Sequence, residues 1–193
     1  MNANIEKLHA IGQRVWLDNI SRELLDSGTL ARYIADFSVK GLTSNPTIFE
    51  HAISHSDVYD DAIATSAALG ASDESIFLDL AMDDLKRAAD LFRPTFDASG
   101  GVDGWVSLEV SPLLAHDATN TINAARELHA RHRVAHQCRT RPEYRVSGIV
   151  IRQPLGYRSE GTNSITVSQS SGYRHRHAYL RCVSAIAGVS ARA

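Results

Sequence analysis

Apolar and polar positions alternate with two different periods along the first two thirds of the chain, and the changes of period mark its elements. Val15-Trp-Leu17 is a short apolar run that ends at Asp18, and from about Ser21 the residues Leu24, Leu25, Leu30, Tyr33 and Ile34 recur at helical spacings. The pair predicts a strand followed by a helix. In Gly41-Leu-Thr-Ser-Asn45-Pro46, Asn45 suits the N-cap of a helix and Pro46 its first position, where proline gives up only a hydrogen bond the helix could not make. Ile48, Phe49, Ala52 and Ile53 would form the buried face of that helix.

A stronger helical stripe follows. Ser72 is a candidate N-cap, Asp73 and Glu74 fall in the first turn, and Leu78, Met82, Leu85 and Ala89 recur at spacings of four, three and four, widened by Phe77, Ala81, Ala88 and Phe92. Pro94 is predicted to stop it. After Gly100-Gly101, Trp105-Val-Ser-Leu-Glu-Val110 has the period of a strand, with Ser107 and Glu109 on one face and Val106, Leu108 and Val110 on the other. Asp117 or Thr119 then begins a helix through Ala124, Ala125 and Leu128. Strand and helix thus alternate over residues 10–131, which predicts a parallel α/β architecture. Three strands end in polar residues, and in a (β/α)8 barrel the C-terminal strand ends build the active site. Beyond Arg131 neither period persists, apart from a short strand predicted within 146–151. The 193 residues suit one domain, with residues 1–131 as its strand and helix units and 132–193 as an irregular continuation.

Charge sharpens that boundary. Residues 1–131 carry 10 Lys and Arg against 20 Asp and Glu, whereas residues 132–193 carry 10 Arg against 2 Glu. Hydrophobic residues make up 44% of the chain, yet no apolar run approaches the roughly 18 residues of a membrane span. The N-terminus has no basic stretch leading into an apolar one, so the expected compartment is the cytoplasm, with no membrane partner. Cys138 and Cys182 lack any CxxC spacing and read as reduced thiols rather than a disulfide framework or a zinc ribbon.

Three segments carry a specific resemblance. Val15-Trp-Leu-Asp-Asn-Ile-Ser-Arg22, Gly41-Leu-Thr-Ser-Asn-Pro-Thr-Ile-Phe49 and Val106-Ser-Leu-Glu-Val-Ser-Pro112 resemble, in order and spacing, the first three strand motifs of bacterial transaldolases. Leu113-Leu-Ala-His-Asp117 continues the third, so the resemblance spans residues 10–131. It implies a partial (β/α)8 TIM barrel of the class I aldolase type. It also implies transfer of a dihydroxyacetone unit from sedoheptulose 7-phosphate to glyceraldehyde 3-phosphate through a lysine Schiff base, a step of the pentose phosphate pathway. The implied partners are sugar phosphates, and no metal or organic cofactor is required. By the same resemblance Asp18 would take the proton of the C4 hydroxyl, Asn45 would hold the dihydroxyacetone unit, and Glu109 would act through a water as general acid and base.

The residues also admit plainer readings. Asp18 at a strand end is ordinarily a helix cap or a solvated turn residue, Asn45 is first of all an N-cap, and Thr43 and Ser44 offer the same turn chemistry. Glu109 is simply solvated if its face lies outside, whereas inside a barrel an acid needs a paired or functional reason to exist.

The resemblance breaks at the nucleophile. The family's fourth strand carries a lysine in a stretch resembling "IKIPAT", but here the chain reads His136-Gln-Cys-Arg-Thr-Arg-Pro-Glu-Tyr144, and Lys86 is its last lysine. Arginine is no substitute, because its guanidinium stays protonated. Downstream, His177-Ala-Tyr-Leu-Arg181 resembles the family's "EAYLR" helix, while Ile151-Arg-Gln153 and Glu160-Gly161 are fainter echoes of a helix and of a glycine before the fifth strand. Compensating frame errors, true divergence and a new role for the basic segment all fit this pattern. The chain as given is expected to lack turnover. Eight strand and helix units take about 250 residues, so a truncated barrel with open sheet edges is expected.

Two other functions fit weaker features. The ten arginines after residue 131, with Tyr144, Tyr157, Tyr173 and Tyr179, could engage phosphates and stack on bases, although no nucleic-acid motif accompanies them. His129, His132, His136, His175 and His177 beside Cys138 and Cys182 match no familiar metal-ligand spacing, so no metal is expected.

Overall fold

The computed structural model describes residues 3–109, 111–114, 117–135 and 149–152. Four strands, β1 (Trp16–Asp18), β2 (Gly41–Thr43), β3 (Trp105–Glu109) and β4 (Ile149–Arg152), form one parallel sheet in the order β1-β2-β3-β4. Helices α1 (Ala3–Ala10), α2 (Arg22–Asp26), α3 (Thr29–Asp36), α4 (Pro46–Ser54), α5 (Asp60–Ala68), α6 (Asp73–Ala98) and α7 (Ala118–Ala135) precede and connect them. Strand order equals chain order, and each crossover is helical, as the alternating pattern predicts.

Alternation along the strands sorts the two faces. Leu42, Val106 and Leu108 are buried and join one core with Leu85, Ala88 and Phe92 of α6, which packs along β3. The other face carries Trp16, Gly41 and Trp105 in one register row and Asp18, Thr43 and Ser107 in the next. A β-carbon at Gly41 would lie 2.7 Å from the Trp16 ring and 2.8 Å from the Trp105 carbonyl oxygen, so the indole occupies the volume a side chain there would take.

The helix starts follow local chemistry. Asn45 caps α4, its side chain accepting from the Ile48 N–H with Pro46 in the first turn, and Ser72 caps α6 by accepting from the Ser75 N–H. Asp117 accepts from the Asn120 N–H at the head of α7, a bond that draws its pKa below the ordinary carboxylate value.

Several expectations need correction. Pro94 does not stop α6, which runs through it to Ala98. The stripe continues past the proline as Phe96, whose ring meets the Trp105 ring edge-on at 5.4 Å, and the helix ends instead at Ala98, with Ser99 as its C-cap before Gly100-Gly101. The single helix expected from Ser21 is two, because Gly28 adopts φ 69° between α2 and α3. The helix expected to end near Arg131 continues to Ala135. Ile151 and Arg152, read as an echo of a helix, lie in strand β4. Residues 132–135 are helical and 149–152 pair with β3, so part of the stretch expected to be irregular is regular. His136–Tyr144, the remaining tyrosines of the basic segment, His175, His177, Cys138 and Cys182 lie outside the described residues.

A buried polar network ties α2 to α6. Tyr59 and Asp84 are fully buried; the Tyr59 hydroxyl donates to Asp84 Oδ2 at 2.8 Å and accepts from the Arg22 N–H at 2.8 Å. Arg22 Nε donates to Asp84 Oδ1 at 2.9 Å, and the guanidinium carbon lies 4.7 Å from the centre of the Tyr59 ring. Burial pushes the Asp84 carboxyl above its ordinary pKa, against the pull of Arg22 and of the tyrosine hydrogen bond. Burial, reinforced by the Asp84 charge, also raises the tyrosine pKa.

Candidate active site

Because the strands are parallel, all their C-terminal ends share one edge of the sheet. Asp18 ends β1 and sits in register with Thr43, the last residue of β2, which in turn pairs with Ser107. Glu109 ends β3 two residues further along the same face, and Asn45 lies two residues beyond Thr43 with an extended backbone. At the rise of a strand, two residues amount to about 6.6 Å. The three residues therefore stand at one edge in two tiers, with Asp18 the deeper.

Neighbouring groups hold each of them. The half-polar row is built by Thr43, which is buried and donates its hydroxyl to Asp18 Oδ1 at 2.6 Å while Asp18 itself is exposed. That bond fixes the direction of a carboxylate open to solvent, a suitable arrangement for a proton acceptor. Ser44 extends the link between β2 and β3 past the ladder: its N–H and its hydroxyl both donate to the Ser107 carbonyl, at 3.1 and 2.7 Å. Asn45 follows directly, so its position is set by the strands. Its side-chain oxygen accepts from the Ile48 N–H at 3.0 Å, which leaves the amide N–H groups as what it can offer a ligand.

Glu109 is half-buried and borders a cavity of about 340 Å³ between the end of β3 and helices α4, α6 and α7. Pro46, Phe49, Phe77 and Leu128 make that cavity largely apolar, and Glu74 and Glu127 also line it. Opposite Glu109 in register stands Arg152, the last residue of β4. The lysines are elsewhere: Lys7 is exposed on α1, Lys40 precedes β2 at the other end of the sheet, and Lys86 lies on α6.

Residues 15–146, more than half of the chain, match the sequence model of the family described as transaldolase/fructose-6-phosphate aldolase. The chain belongs to that family. Its four parallel strands and their helices are accordingly part of a (β/α)8 barrel, and the family match runs past Arg131, where the pattern of the sequence fades. A transaldolase of Saccharopolyspora erythraea is 46% identical over 127 residues, covering 66% of this chain and 34% of that protein. One from Frankia alni is 45% identical over 128 residues, with the same coverage. A protein named transaldolase 2 from Nostoc is 42% identical over 115 residues, 60% of this chain and 30% of its own length. The chain thus spans about a third of the length of the curated relatives it matches.

Sequence reasoning overlooked the specific role of Thr43, grouped with Ser44 as turn chemistry. Its bond to Asp18 arises from strand register, and two residues 25 positions apart give no local sign that they will be neighbours. Among the described residues no group of three or more His, Cys, Asp or Glu is arranged to hold a metal ion, and no helix is long and apolar enough to cross a membrane.

Proposed function

We propose that this chain carries the first catalytic positions of a transaldolase, an enzyme of the pentose phosphate pathway acting on sugar phosphates in the cytoplasm, and that it lacks the nucleophile needed for turnover. The observation that carries the reading is the gathering of Asp18, Asn45 and Glu109 at one edge of a parallel sheet, in two tiers matched to a ligand lying along the strands.

In the complete reaction a lysine amine condenses with the C2 ketone of sedoheptulose 7-phosphate and water leaves, giving an iminium. Asp18, oriented by Thr43, takes the proton of the C4 hydroxyl as the C3–C4 bond breaks. The bonding pair moves to the iminium nitrogen, and an aldose phosphate departs. The enamine then attacks the aldehyde of glyceraldehyde 3-phosphate, with the proton returning from Asp18. Glu109, acting through a water, moves protons during imine formation and hydrolysis, and the Asn45 amide holds the dihydroxyacetone unit. The strand position opposite Glu109 is filled by Arg152, a residue type that does not furnish a free amine.

Borohydride reduction in the presence of fructose 6-phosphate, read by mass spectrometry, tests both halves of this reading. The chain as given should yield no saturable adduct. Arg152→Lys should yield one, weakened by Glu109→Gln. A saturable, Glu109-dependent adduct on the original chain would show that Lys7, Lys40 or Lys86 supplies the amine. Failure of Arg152→Lys to form any adduct would sink the assignment of these strand ends as an aldolase site.

A further inference from the structure

The last turn of α4 carries His51, with His55 at its C-cap, one helical turn apart and both exposed. Their rings stack face to face, with centroids 4.3 Å apart and planes 14° from parallel. The proton positions follow from the surrounding bonds. The Ser54 hydroxyl donates its single proton to the Glu50 carbonyl at 2.6 Å, so toward His55 Nδ1, 2.9 Å away, it can only accept. The other partner of that nitrogen, the His51 carbonyl at 3.0 Å, is an acceptor as well. Nδ1 of His55 must therefore carry the hydrogen, which leaves Nε2 as the lone-pair nitrogen. A histidine whose one ring nitrogen donates to a carbonyl while the other is kept for coordination is the usual arrangement of a metal ligand.

The surroundings favour a cation. Both histidines line a groove of about 390 Å³ that Glu23 of α2 also lines, and the C-terminal end of α4 directs its negative dipole toward the pair. We propose that His51 and His55 chelate a single borderline divalent transition-metal ion, of the class of Zn²⁺, Ni²⁺ or Cu²⁺, through two imidazole nitrogens with water completing the shell. Helical histidines four residues apart project on one face and can bind one ion together. A tetrahedral ion about 2.0 to 2.1 Å from each nitrogen holds the two about 3.3 Å apart and lies in the plane of both rings. Binding therefore takes the exposed His51 ring out of the stack and turns the two planes, 14° from parallel without the ion, steeply toward each other. Since no third side chain among the described residues is placed to complete the set, the ion is exchangeable. The site is separate from Asp18, Asn45 and Glu109 and does not depend on the function proposed for them.

The test is a titration of the full chain with zinc chloride alone, followed by nitrogen-detected NMR of the imidazole rings, which separates these two histidines from the other seven. The Nε2 signals of His51 and His55 should move together and saturate. Either His51→Ala or His55→Ala should remove saturation at the surviving partner, while the Ile48 amide held by Asn45 stays in place and reports an intact α4. Copper should compete more strongly than zinc, and magnesium should not compete. Unmoved signals under zinc, or a His55 response undiminished by His51→Ala, would overturn the chelate. The substitution His51→Gln, which keeps a polar side chain on the exposed turn, guards against a folding defect and should lose the response in the same way.

Discussion

Replacing Tyr59 by Phe removes one hydroxyl from a fully buried network and leaves the ring in place. The oxygen makes two bonds at 2.8 Å, donating to Asp84 and accepting from the Arg22 N–H. A buried group left without its partner costs about 1–3 kcal/mol, and a bond to a charged group lies in the upper part of that range. Two such losses, reduced by the desolvation the tyrosine hydroxyl no longer suffers, give an expected destabilisation of about 2–4 kcal/mol. Packing of the ring and its contact with the Arg22 guanidinium persist, so no cavity adds to the figure. Urea denaturation at pH 7, followed through Trp16 and Trp105 in the sheet, measures it. The pH dependence provides a second check. Asp84 is raised by burial, so its contribution to stability is fully present below the unfolded carboxylate pKa and is lost as pH rises through the folded value. Tyr59→Phe removes a hydrogen bond that had held the folded pKa down, raising it further. The difference between the two proteins should therefore be greatest above the folded pKa of the variant and should shrink on acidification. A difference under about 1 kcal/mol at pH 7, or one that grows as pH falls, would refute the network as drawn.

Two pairs of substitutions test the elements around the site. Gly104→Ala places a methyl group 2.5 Å from the Phe96 nitrogen at φ +85°, whereas Gly28→Ala meets open space at φ +69°. Both pay about 1–2 kcal/mol for the left-handed backbone, so thermal denaturation should show a clearly larger loss for Gly104→Ala, and equal losses would deny the close approach. Asn45→Ala should lower stability by about 0.5–2 kcal/mol through loss of the α4 cap while Asn45→Asp retains it; if Asn45→Asp were as unstable as Asn45→Ala, the side-chain oxygen would not be the capping atom.

Local chemistry was the legible part of this fold. Asn45 with Pro46, and Ser72 ahead of two acids, announced helix starts because a cap is decided within a few residues. Pro94 misled for the complementary reason: its local penalty was plain, but the packing of Phe96 on Trp105 that carries α6 past it is tertiary. The three short strands were found in the segments that lead to Asp18, Asn45 and Glu109, and their parallel pairing followed from the intervening helices. Register was not legible. The contact of Thr43 with Asp18 and the placement of Arg152 opposite Glu109 both depend on how strands slide against one another, which a period of two cannot reveal. The absence of any lysine after Lys86 was visible, and a short strand was expected within 146–151, but that it runs to Arg152 and pairs with β3 was not.

The ring of Trp16 lying over Gly41 has a consequence for how this sheet can change through descent. Positions 16 and 41 share one allotment of space, so neither is free to drift alone. A lineage acquiring a side chain at 41 must surrender the indole at 16 and also shift the backbone at Trp105, whereas losing the indole first leaves a hole over Gly41. The order of substitution is thereby constrained at one end of strands whose other end holds the candidate chemistry.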